Sequence, residues 1–136
     1  MLFRSIVGFT IRNGFASGYR VGGGAQLSGS AVHFSNCRFI GNRVGGYAWW
    51  SGAAIYSIGG SPTIDHCEFF QNEIAPIANI HGASAIFQYQ GGTITVSDCH
   101  FHGNITRRDS QSTDAQWGRQ VRVHAEGQPT QATFMR

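Results

Sequence analysis

The chain has 136 residues, enough for one modest core, with nineteen glycines and a charged fraction of 12% that includes no lysine. Its net charge of +3 rests on ten arginines scattered along the chain, apart from Arg107-Arg108, and this argues against the basic stripe of a nucleic-acid binder. No run reaches the ~18 apolar residues of a membrane span. The opening MLFRSIVGFTIRNG is interrupted by arginine and polar residues and does not read as a signal peptide.

In chain order, the first recognisable element is GFTIRNG (Gly8 to Gly14), which carries Asn13. Three fuller copies follow: CRFIGN (Cys37 to Asn42), CEFFQN (Cys67 to Asn72) and CHFHGN (Cys99 to Asn104). The pattern Cys-x-Phe-x-x-Asn thus recurs at steps of 30 and 32 residues. Two further markers keep the same order. Phe34, Ile64 and Val96 stand three residues before each cysteine, and Gly23, Gly52 and Gly82 stand ten after Asn13, Asn42 and Asn72. The first unit carries Thr10 where the others have phenylalanine.

No window shows sustained helical periodicity, so the period does not fit repeats built from paired amphipathic helices. It fits three short strands per unit, each unit being one coil of a solenoid, with equivalent residues stacked at the inter-strand spacing of about 4.8 Å. Side chains alternate along a strand, so Cys37 and Phe39 share the inward face. Stacking then predicts a Cys37–Cys67–Cys99 ladder beside a Phe39–Phe69–Phe101 ladder. The asparagines fall at strand ends, where a side-chain amide bonds the turn and the next coil. The glycines relieve crowding where the backbone turns with positive φ.

Residues 1–104 are expected to form the coils and 105–117 an inserted polar loop. Residues 118–136 are expected to make a degenerate last coil or C-terminal cap, with Pro129-Thr130 matching Pro62-Thr63. The first coil has no amphipathic helix before it, only Met1 to Ser5. Ile6, Phe9 and Ile11 are therefore expected at an end covered by another protein, by a second copy, or by residues beyond this sequence.

GFTIRNG, SPTIDHCEFFQN and GAAIY, spanning about Ile6 to Asn104, resemble the right-handed parallel β-helix repeats of the pectate-lyase-like superfamily. The pairing of Phe-x-x-Asn with a Gly-Gly-Ala-Ile element is similar to repeats of chlamydial polymorphic outer-membrane proteins and bacterial surface β-helices. The resemblance implies an all-β right-handed solenoid of about four coils with roughly 30 residues each, and an extracellular or cell-surface setting. It also implies a non-enzymatic structural protein, adhesin-like or passenger-like, or a fragment of one. The alternatives are a carbohydrate-active β-helix, binding or cleaving polysaccharide with catalytic coils outside this chain, and a small accessory subunit of a larger assembly.

The cysteines do not have the close paired spacing of a zinc site, and stacked parallel Cβ vectors suit free thiols better than disulfides. Arg38, Glu68 and His100 follow the cysteines and read as an outward ion-pair ladder. Stacking also gathers Asp65, His66 and Asp98 at one corner. They are candidates for acid–base chemistry, set against the simpler reading of polar turn residues solvating that corner. Neither the acidic calcium cluster of pectate lyases nor the close aspartates of polygalacturonases is visible. Tyr47, Trp49 and Trp50, with Tyr56 and Phe87 stacked outward on adjacent coils, are candidates for a sugar-binding platform. No metal or cofactor is implied.

Overall fold

The computed structural model describes residues 4–46, 50–76, 82–107, 120–125, 127 and 130–135. The chain winds into coils of four strands, one more strand than the repeat pattern suggests. The first coil holds β1 (Arg4–Val7), β2 (Thr10–Arg12), β3 (Phe15–Ser17) and β4 (Ala25–Ser28). The second holds β5 (Val32–Ser35), β6 (Arg38–Ile40), β7 (Arg43–Gly46) and β8 (Ile55–Ile58). The third holds β9 (Thr63–Asp65), β10 (Glu68–Phe70), β11 (Glu73–Pro76) and β12 (Ile86–Tyr89). The fourth holds β13 (Gly92–Ser97), β14 (His100–His102), β15 (Ile105–Thr106) and β16 (Val121–His124), and β17 (Thr130–Met135) lies beyond it.

Equivalent strands pair in parallel into four sheets, in the orders β1-β5-β9-β13-β17, β14-β10-β6-β2, β15-β11-β7-β3 and β16-β12-β8-β4. The extra strand per coil comes from a sharp corner between the first two strands. Gly8, Asn36, His66 and Asp98 occupy that corner in four successive coils, all with positive φ. No helix among the described residues is long and apolar enough to cross a membrane.

Inside, the expected ladders are present. The rings of Phe39 and Phe69 stack 4.9 Å apart at 2°, and those of Phe69 and Phe101 stack 4.7 Å apart at 5°. Cys37 and Cys67 are buried, Cys99 is half-buried, and all three are free thiols. Each thiol bonds a carbonyl of its own corner: Ser35 O at 3.3 Å, Asp65 O at 3.2 Å and Ser97 O at 3.1 Å. The sulfurs of Cys67 and Cys99 also accept the backbone N–H of the preceding cysteine at 3.4 Å. This spends the weak polarity of the thiols inside the core. The asparagine ladder runs through Asn42, Asn72 and Asn104, and each amide also donates to a carbonyl one coil back, those of Ile11, Phe39 and Phe69.

The register corrects four expectations. Ile11 pairs with Phe39 and Arg12 with Ile40, so Asn13 lies opposite Gly41 and Gly14 opposite Asn42. Asn13 takes the positive-φ position, at 56°, which Asn tolerates, and it is not a rung of the ladder. By the same register Ile11, not Thr10, occupies the phenylalanine position. The glycine marker is Gly22 opposite Gly52 opposite Ala83, so Gly23 and Gly82 each lie one residue out of line. Its glycines are required by close approach and not by φ, since a Cβ on Gly52 would collide with the Ile55 carbonyl oxygen. In the tail, Thr133 lies opposite Thr95, which lies opposite Thr63, and Thr130 lies opposite Gly92, so Thr130 does not match Thr63; Pro129 lies outside the described residues.

Candidate functional site

The corner between the first two strands of each coil stacks into a column. Asp65 ends β9 and Ser97 ends β13, and the two lie opposite each other in the sheet. His66 and Asp98 follow in the left-handed conformation, at φ of 50° and 48°, which turns both side chains outward beside Asp65. The corner thus brings Asp65, His66 and Asp98 together, as the repeat predicts, with their ligand atoms all within 4.8 Å of one another. His66 Nδ1 lies 2.8 Å from Asp65 Oδ1, and Ser97 Oγ donates to the same oxygen at 3.0 Å. The hydrogen bond from His66 holds the Asp65 carboxyl below its ordinary range, with help from Ser97. The same bond raises the His66 imidazole. The group is exposed and its hydrogen bonds are internal. It can exchange protons with solvent.

The aromatic candidates divide. Tyr47 and Trp49 lie outside the described residues. Tyr56 and Phe87 do stack on the outer face of the β16-β12-β8-β4 sheet, with centroids 6.2 Å apart at 22°. They are not a solvent-facing platform, however: Tyr56 is 1% exposed and Phe87 is fully buried. Trp50 packs over them, with its ring 6.2 Å from Phe87, 5.1 Å from Tyr89 and 3.9 Å from His124. Arg20 lies 4.6 Å over the Tyr89 ring and donates to its hydroxyl at 2.8 Å. Arg122, itself buried, lies 5.7 Å from the Phe87 ring. Arg20, between β3 and β4, and Trp50, just before β8, lie over the sheet and close a second, outer core. Alternation along the strand correctly turns Tyr56 outward, but it carries no information about what returns to cover it.

On the outer face of the β14-β10-β6-β2 sheet, Arg38, Glu68 and His100 lie opposite one another as expected. Arg38 Nε reaches Glu68 Oε2 at 2.6 Å. The other Glu68 oxygen is taken by His102, with Nε2 at 2.9 Å from Oε1, and not by His100. Arg38 first and then His102 hold the Glu68 carboxyl below its ordinary range. The sequence reading passed over His102. The signal that marks it is its position two residues after His100, which puts both imidazoles on one face of a strand.

Four parallel sheets stacked from coils of about 30 residues, with inward Cys, Phe and Asn ladders, define a parallel β-solenoid. A family model for the right-handed β-helix region matches residues 1–125. The chain belongs to that family. No curated protein and no solved structure matches it.

Proposed function

We propose that this chain is a non-enzymatic structural β-helix that works by joining to a second copy of itself through its first coil. One observation carries this reading. Among the described residues β1, β2, β3 and β4 are each the edge strand of a sheet, so the first coil presents four strand edges with no partner among those residues. At that end Phe9 is 63% and Phe15 66% exposed, and Val7 is also exposed. Open edges beside exposed aromatic rings are the kind of surface that soluble proteins cover or pair. Another β-coil has the cross-section that matches all four edges, and a second copy of this chain supplies one. Such contact, first coil to first coil, closes as a symmetric dimer without further growth.

An adhesin-like or passenger-like setting belongs to the same reading and rests on the resemblance of the repeats. The alternative of polysaccharide binding loses Tyr56 and Phe87 as contact residues to burial.

Light scattering on a size-exclusion column at micromolar concentration is the test. A dimer is expected, and Phe9→Lys with Phe15→Lys should return it to a monomer with an unchanged far-ultraviolet spectrum. Arg4 and Arg12 are exposed on the same coil, so added salt should strengthen the dimer by screening their approach. A wild-type monomer whose first-coil amides resist hydrogen exchange would overturn the reading.

A further inference from the structure

We propose that His100 and His102, with Glu68 positioning His102, form a surface site for a borderline divalent metal ion such as zinc or copper(II). The proposal stands independently of self-association.

Both imidazoles project from the outer face of β14, an edge strand, with Phe101 between them facing the core. Their ring centroids are 5.5 Å apart at an interplanar angle of 58°. Metal–nitrogen bonds of about 2.1 Å at a tetrahedral angle set two ligating imidazole centroids about 5 Å apart. The two rings therefore already stand close to a chelating separation.

His102 is also held as a metal ligand is commonly held. Its ring stacks on Phe70 at 4.5 Å and 22°, which fixes the imidazole plane. Glu68 is ionised beside Arg38, so its oxygen Oε1 can only accept, and the proton on the 2.9 Å contact belongs to His102 Nε2. That assignment leaves His102 Nδ1 with a free lone pair. A carboxylate holding the far nitrogen of an imidazole fixes its tautomer and ring orientation, the usual support behind a metal-bound histidine. His100 lies opposite Glu68 on the neighbouring strand, so the carboxylate charge also offsets the Arg38 cation two strands away. Two nitrogen ligands on an open face leave coordination positions for water or an external donor. Imidazole nitrogen is the ligand that zinc and copper(II) favour, whereas calcium and magnesium take oxygen.

Asp65, His66 and Asp98 form the competing cluster, in which Asp65 is half-buried and already bonded by His66 and Ser97 while His66 and Asp98 are exposed. The test separates the two. Untagged protein is titrated with Zn²⁺ by calorimetry, with histidine ring ¹⁵N shifts recorded alongside. One equivalent is expected to bind, shifting the His100 and His102 rings. His100→Ala and His102→Ala should each lower affinity at least about tenfold, and Glu68→Ala should lower it by about 10- to 100-fold while both rings still shift at saturation. His66→Ala should bind as the wild type does. No binding of Zn²⁺ overturns the proposal, as does binding that survives loss of both His100 and His102 or that disappears with His66.

Discussion

Asn72 and Asn104 are joined twice: the Asn72 backbone N–H and its side-chain Nδ2 both donate to Oδ1 of Asn104, at 3.0 and 2.9 Å. The same geometry links Asn42 to Asn72, at 3.1 and 3.0 Å. At the far end Asn104 Nδ2 donates to Gln120 Oε1 at 2.8 Å, so the last amide finds a partner where no further asparagine follows. Both Asn42 and Asn72 are fully buried. Each rung therefore satisfies backbone and amide groups that water cannot reach.

Asn72→Ala strands the Asn42 backbone N–H and the Phe39 carbonyl, among other groups, inside the core. With each stranded buried group costing about 1–3 kcal/mol, the variant is expected to lose about 3 kcal/mol or more. Urea unfolding checks this. A loss below about 1 kcal/mol would show that the ladder is not a stabilising element.

Phe69 is fully buried between two stacked neighbours, whereas Phe101 lies in the final strand of its sheet and is half-buried. Phe69→Ala should cost about 3–5 kcal/mol, and Phe101→Ala distinctly less. The ordering of the two unfolding midpoints is the measurement. Equal losses would mean that the end of the ladder is packed as tightly as its middle.

The three thiols are predicted to be free and protected. Contact with the Cys99 thiol, together with burial, pushes the Cys67 thiol up, so little of it is the reactive thiolate at neutral pH. Labelling of the folded protein should reach Cys99 first, because it is only half-buried, and all three groups should react once the chain is unfolded. A disulfide between any two would contradict the ladder.

Burial pushes the Tyr56 phenol up to about 12 from its ordinary 10.0. The folded state therefore keeps that proton where the unfolded chain releases it. The sign follows directly: stability is intact below about pH 10 and falls as pH rises toward 12. The Tyr56 hydroxyl has no hydrogen-bond partner among the described residues. Tyr56→Phe should consequently be neutral or stabilising at pH 7, by up to about 1 kcal/mol, and should remove this part of the alkaline loss. Denaturant melts at pH 7 and pH 11 decide it. A variant markedly less stable than the wild type at pH 7 would reveal a bond to that hydroxyl.

What the sequence determined by itself is the interior. Alternation along a strand turns Phe39, Phe69 and Phe101 to one side, and a step near 30 residues places each on the next, so their stacking follows from spacing alone. Free thiols follow in the same way. The tertiary structure decided the rest wherever one turn position accepts more than one residue. Asn13-Gly14 and Gly41-Asn42 contain the same pair in opposite order, and either residue can hold the left-handed position, so only the pairing of Ile11 with Phe39 shows that Gly14 takes the asparagine's place. The outer face was likewise beyond local reading. Tyr56 and Phe87 point away from the coil as alternation requires, yet they are buried, with Trp50 packed on Phe87, Arg122 beside it on the next strand and Arg20 bonded to the neighbouring Tyr89. Repeat spacing fixes which side of a strand a residue faces. Only the path of the connections between strands fixes whether water meets it there.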